Sequence, residues 1–242
     1  MRRTLRIVGV GLIAVSLGLT GLVGWQVVGT RELAARAATD TLREFDEDWA
    51  NTFVPVQQGV ASPSQSFSAS PTAAPTASPT AAMRPPRDGV AFGRVYIPRL
   101  RDRAWGLPLV EGIQPEHIDK GFARFPHSAM PGEDGNFALA AHRATHLEPL
   151  AEVDRLRAGD RVFIRTKTSW FEYRLTHDRI VDPTDTWVVD PVPGKSRSRP
   201  DRSLITLVTC EPRWGSTHRW IWWGELVGTH PASATIEQLT RT

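Results

Sequence analysis

The sequence predicts a mainly β fold, a mostly antiparallel barrel with short helical insertions, set behind an N-terminal transmembrane helix and a Pro/Ser/Thr/Ala-rich linker. Short β-rich runs follow one another at close spacing from Val90 onward, separated by turn signals such as Gly132-Glu133-Asp134-Gly135. Ile7 to Val28 is a run of 22 residues without a charge, long enough to cross a bilayer as a helix. Between Ser62 and Ala82, 19 of 21 residues are Ser, Thr, Ala or Pro, a composition with too little apolar surface to fold. The chain therefore divides into a cytoplasmic tail and anchor over 1–30, a juxtamembrane helix over 31–54, a disordered linker over 55–89 and one folded domain over 90–242.

Arg2, Arg3 and Arg6 precede the apolar run, so the positive-inside rule places the short tail in the cytoplasm and the bulk of the chain outside. Arg31, Arg36 and Arg43 on the far side reduce the contrast. A cleaved signal peptide is the rival reading, with Ala35-Arg36-Ala37 as its cleavage site. The apolar run exceeds the ~7 to 15 residues of a signal core and lies well upstream of that site, which favours an uncleaved single-pass anchor in the cell membrane. Beyond it, Leu42, Phe45, Trp49 and Phe53 recur at helical spacing, as on an amphipathic helix. In polyproline II the linker would extend roughly 65 Å, at about 3.1 Å per residue.

Within the domain, Val95-Tyr96-Ile97 reads as a first strand that Pro98 stops. Further strands are expected over Leu107–Val110, Phe137–Ala141, Arg161–Arg165, Trp170–Thr176, Ser203–Thr209 and Trp220–Val227. One helix is expected over Leu147–Leu156, where Leu147, Leu150, Val153 and Leu156 stand at three-residue steps.

The formal charge of +3 comes from scattered Arg, with no dense basic block to track phosphates, and this argues against a nucleic-acid partner. Cys210 is the only cysteine, so an internal disulfide and a Cys-based zinc cluster are both excluded. It closes the apolar run Leu204-Ile205-Thr206-Leu207-Val208-Thr209, at the end of a core strand. Arg219 opens the next apolar strand, so antiparallel neighbours would bring Cys210 and Arg219 together. A cation there lowers a thiol's pKa and can bind an oxygen that becomes negative in acyl transfer. His142 ends another predicted strand and titrates near neutrality, as a partner for a thiol and a donor to a leaving amine should. Taken singly, Cys210 also fits buried filler, Arg219 a rim salt bridge and His142 a satisfied loop histidine. His142 and His146 form an HxxxH pair, but the missing Glu after the first His and the lack of a further ligand argue against a metal. His218 lies near Cys210 in sequence, yet it should alternate to the face opposite Arg219.

Two segments resemble the sortase family. Pro131-Gly132-Glu133-Asp134-Gly135-Asn136-Phe137-Ala138-Leu139-Ala140-Ala141-His142-Arg143 is similar to the segment carrying the catalytic His. Thr206-Leu207-Val208-Thr209-Cys210-Glu211-Pro212 with Arg219 resembles the TLxTCxP…R signature, with the spacing of the class E, actinobacterial type. Val95 to Pro98 with Val110-Glu111-Gly112 resembles the opening strands, so the similarity covers about Val90 to His230. The resemblance implies an eight-stranded sortase barrel with Cys210 as nucleophile, His142 as acid/base partner and Arg219 on the substrate carbonyl or oxyanion. Thr209 would help shape the oxyanion site.

Glu211, directly after the nucleophile, departs from the expected neutral or basic residue, and its charge would oppose thiolate formation. Ala141 stands where many relatives carry Gly. No aromatic lid precedes the first strand, which favours a housekeeping role over pilus building. The resemblance further implies a transpeptidase that cleaves the Thr-Gly bond of an LAxTG or LPxTG sorting signal on a secreted protein and passes the acyl group to an amine of a lipid-linked cell-wall precursor. It implies no cofactor and no metal. A hydrolytic cysteine peptidase and a non-catalytic wall-binding module are the alternatives, separated by whether an amine ends the reaction and whether blocking Cys210 matters.

Overall fold

The computed structural model describes residues 2–52, 83–195 and 198–241. The linker composition over Ser62–Ala82 lies outside the described residues. At the N-terminus, helix α1 (Arg2–Gly24) runs through a π-helical turn (Trp25–Gly29) into α2 (Thr30–Thr52). From Leu12 to Val28 the large apolar side chains described are exposed, Leu17 at 68%. Among the described residues no helix is long and apolar enough to cross a membrane.

Helix α2 lies against the barrel. Its buried face is Ala34, Ala38, Thr41 and Phe45, a stripe of period 3.6 made mostly of small residues. Of the bulkier stripe expected from the sequence, Phe45 is buried and Leu42 half-buried, while the side chains of Trp49 and Phe53 lie outside the described residues. Asp46 on α2 accepts two hydrogen bonds from Arg94 at 2.8 and 2.6 Å, tying the helix to the first strand.

The domain is a closed barrel of strands β1 (Ala91–Tyr96), β2 (Trp105–Glu111), β3 (Phe122–Arg124), β4 (Gly135–Ala141), β5 (Arg161–Thr166), β6 (Ser169–Val181), β7 (Ser203–Glu211) and β8 (His218–Pro231). Around the barrel the order is β1-β2-β3-β4-β7-β8-β6-β5, with β5 returning to β1. All neighbours are antiparallel except β2/β3 and β4/β7. The short helix α3 (Pro115–Ile118) lies in the β2–β3 crossover, and α4 (Ile236–Thr240) closes the chain. Side chains alternate along each strand. Phe137, Leu139, Ile205, Leu207 and Trp222 point into the central core, while Val208, Ile221 and Trp223 face outward into a second cluster with Val181 and Val188.

Two expectations are corrected. Leu147–Leu156 is not an α-helix: it is a series of tight turns ending in a 3₁₀ turn at Val153–Arg155. Glu148 has φ +49° and precedes Pro149, a residue that disfavours α conformation before it and lacks an N–H. The bonds Ala151 N–H to Glu148 O and Val153 N–H to Leu150 O are i+3 contacts, so the three-residue spacing of the buried Leu150, Val153 and Leu156 follows turns of three residues. The second correction is β3, whose three residues are too few to show a periodic pattern.

A buried ion pair explains Val110-Glu111-Gly112. Glu111 accepts from Arg124, which is 1% exposed, and Gly112 sits at φ +89°, where a Cβ would strike Asp88 Oδ1 at 1.8 Å.

Candidate active site

Parallel neighbours end at the same edge of a sheet, and antiparallel neighbours bring the end of one beside the start of the other. Ala140 pairs with Val208 across the parallel β4/β7. Two residues further on, His142 therefore leaves β4 level with Cys210 on β7. Across the antiparallel β7/β8, Cys210 pairs directly with Arg219. His142, Cys210 and Arg219 thus form one row at one edge of the barrel. They share the outward face with Ala140, Val208 and Ile221.

Behind the row that outward face is buried: Ala138 and Ala140 on β4 are small, and Val208 and Ile221 pack in the second cluster. The 3₁₀ turn Thr186–Val189 packs over it and is fastened down at one carbonyl: Val188 O accepts from Asn136 Nδ2 (3.3 Å), Thr206 Oγ1 (3.4 Å) and Trp223 Nε1 (3.3 Å). Asn136 Oδ1 accepts a second bond from the Thr206 hydroxyl at 2.7 Å. Thr206 of the TLxTC segment thus holds this turn in place.

His142 does not stand alone. Its Nε2 lies 2.8 Å from Asp119 Oδ1, and His146 Nε2 lies 3.3 Å from Asp119 Oδ2. The two imidazoles stack with centroids 4.8 Å apart and planes 20° from parallel. An ionised carboxylate only accepts, so His142 presents an N–H to Asp119 and turns its other ring nitrogen away from it. Burial lowers the pKa of His146, and the proximity of His142 adds to this, while Asp119 opposes it. The loop that folds His146 over His142 is strained, with Thr145, His146 and Glu148 at φ +67°, +53° and +49°, each costing about 1–3 kcal/mol. Ligand atoms of Asp119, His142 and His146 all lie within 4.8 Å of one another, so these residues could hold a metal ion.

On the other face of the same strand ends, Arg143 pairs with Glu211 and donates to the Cys210 carbonyl at 3.5 Å. Its guanidinium lies 5.0 Å from the centroid of the Trp220 ring. The Glu211 charge, expected to oppose the thiolate, is therefore compensated by a buried arginine. The Thr209 hydroxyl donates to Ala141 O at 2.7 Å, holding the β4 end against β7. Arg219 Nη1 donates to the carbonyls of Ser216 and His218 at 2.9 Å each. His218 pairs with Glu211 on the alternate face, is exposed, and contacts Thr217 Oγ1 at 3.1 Å.

The family model for the sortase domain matches residues 95–227, more than half of the chain and every residue of the row. The chain belongs to the sortase family. Its similarity is to the E class. Sortase SrtE1 of Streptomyces coelicolor is 30% identical over 234 residues, 93% of this chain; the chain spans 58% of that relative's length. The structure of sortase E from Streptomyces avermitilis aligns with TM-score 0.55 at 38% identity, over 62% of this chain and 97% of that one. A crystal structure of sortase E1 from S. coelicolor with a tripeptide in the active site aligns with TM-score 0.54 at 33% identity, over 59% and 91% of the two chains.

Sequence reasoning missed two residues of this sortase site. Asp119 comes from the β2–β3 crossover, 23 residues before His142, and no local pattern points to it. Arg143 was legible in principle: it follows His142, so strand alternation sends it to the opposite face, where Glu211 also points.

Proposed function

We propose that this sortase is a membrane-anchored cysteine transpeptidase. The observation that carries the reading is the row of His142, Cys210 and Arg219 across three adjacent strands. The Cys210 thiolate attacks the Thr carbonyl carbon of a Thr-Gly bond, forming the C–S bond. The carbonyl oxygen becomes negative and is met by the Arg219 guanidinium and by backbone N–H groups beside Thr209. His142 gives its proton to the leaving Gly amine as the C–N bond breaks, which leaves a thioacyl enzyme. The acceptor amine then loses a proton to His142 as it attacks the thioester, and the new amide leaves as the thiolate is restored. Asp119 orients His142 throughout.

The substrate would be a secreted protein with an LAxTG or LPxTG signal, and the acceptor an amine on a lipid-linked cell-wall precursor. The bound tripeptide in the active site of the S. coelicolor relative supports peptide binding at this site. Supporting the anchor are the uncharged run Ile7–Val28 and the exposure of its described apolar side chains. With the tail cytoplasmic, the barrel would meet both substrates at the outer face.

The test is mass spectrometry of products from the full chain in detergent with an LAxTG-type or LPxTG-type peptide, with and without a Gly-based amine. Amine-dependent joined product supports transpeptidation. Cleavage by water alone with the amine present supports the peptidase reading, and no reaction with any such peptide supports the binding module.

A further inference from the structure

We infer that Asp119, His142 and His146 form a binding site for Zn²⁺, and that the ion switches the enzyme off by taking its acid/base histidine. The inhibitory part rests on the reading of His142 given above; the site itself does not.

Two imidazole nitrogens and one carboxylate are a donor set that suits zinc, with a position left open for water. The HxxxH spacing supplies two ligands. The third, invisible in sequence, is the carboxylate brought in by the β2–β3 crossover. All three candidate ligand atoms fall within 4.8 Å of one another, and the side chains are 26%, 27% and 32% exposed for His142, His146 and Asp119, so an ion can enter from solvent. Nitrogen donors disfavour Mg²⁺ and Ca²⁺, which prefer oxygen.

A metal-binding histidine needs its other nitrogen fixed by a hydrogen bond. Thr145 Oγ1 lies 3.1 Å from His146 Nδ1, so a proton on Nδ1 has an acceptor and the Nε2 lone pair is free for a metal. The left-handed backbone at Thr145 and His146 points the same way, because it turns the second imidazole back over the first. On binding, zinc takes the Nε2 lone pair of His146, and that of His142 once its proton has moved from Nε2 to Nδ1. With Nε2 on zinc and Asp119 shared with the metal, His142 no longer cycles a proton between thiol and amine.

The experiment is calorimetric titration of chelator-treated full chain with ZnCl2, with thermal unfolding and peptide joining followed on the same samples. The expected result is one zinc per chain and a raised Tm, with affinity about tenfold or more weaker in both His146→Gln and Asp119→Asn and unchanged in Cys210→Ser. Zinc should stop joining in the wild type, and chelation should restore it. Unchanged zinc affinity in both ligand variants, no binding by wild type, or loss of binding in Cys210→Ser would overturn the site. Zinc binding as expected with no joining by zinc-free protein upholds the site and removes the function reading. Joining that zinc neither inhibits nor accompanies with binding does the reverse.

Discussion

Cys210 and Arg219 are direct partners across β7 and β8. The pairing register fixes this relationship, so it is rigid in a way that two loop residues could not be, and it puts a guanidinium on the same face as the thiol. Replacing Arg219 by Lys keeps the charge and loses the planar fork. Turnover should fall about 10²-fold or more, the cost of losing an oxyanion donor. Near-normal kcat in Arg219→Lys would remove this residue from the mechanism.

Three histidines stand near the thiol in sequence or space, and only His142 occupies the row. His142→Ala should abolish joining, whereas His218→Ala, at an exposed position on the alternate face, should cost little. His146→Ala should fall between, since its ring stacks on His142. Initial rates in zinc-free buffer rank the three, and a larger loss at His218 than at His142 would refute the assignment of the base.

In the proposed mechanism Asp119 acts through His142, whose Nε2 lies 2.8 Å away. Asp119→Asn keeps the shape and removes the charge that holds the imidazole, so kcat should drop about tenfold or more with KM little changed. An unchanged kcat would mean that Asp119 only packs there.

Arg143 and Glu211 make a second paired couple beneath the thiol. Arg143→Met should lower stability by about 1–3 kcal/mol, since it leaves the Glu211 carboxylate half-buried and unpaired. The uncovered charge beside the thiol should also slow alkylation of Cys210 by iodoacetamide at neutral pH. Adding Glu211→Gln to Arg143→Met should restore the alkylation rate; failure to do so would separate Glu211 from the thiol.

Burial raises the pKa of Glu111 above its ordinary 4.5, and Arg124 only partly offsets this. A carboxyl with a raised folded pKa holds its proton more tightly when folded, so its contribution to stability is present below the ordinary value and lost as pH rises through the folded one. The Tm of the wild type relative to Glu111→Gln should therefore decline as the pH rises above the ordinary 4.5. A rise over that range would show that the ion pair with Arg124 outweighs desolvation.

Much of the site was legible because strand ends carry it. The apolar runs before His142 and Cys210 and after Arg219 mark where strands stop and start, and barrel closure makes those ends neighbours. Asp119 was not legible, because its place is set by a parallel crossover, a long-range property that residue spacing does not encode. The turns of Leu147–Leu156 were misread because steps of three fit both an apolar helical face and a chain of 3₁₀ turns, and Pro149 decides for the turns. On α2 hydropathy marked the buried Phe45 but passed over Ala34 and Ala38. Close approach to the barrel selects the small Ala34 and Ala38, while hydropathy favours bulk.

The central claim is acyl transfer through Cys210, and the intact mass of the enzyme tests it most directly. Full chain incubated with an LAxTG-type peptide and no amine should gain the mass of the peptide up to and including Thr, located on Cys210, and lose it when a Gly-based amine is added. Cys210→Ala should show neither adduct nor product. Joined product from Cys210→Ala, or an acyl adduct on any other residue, would contradict the account.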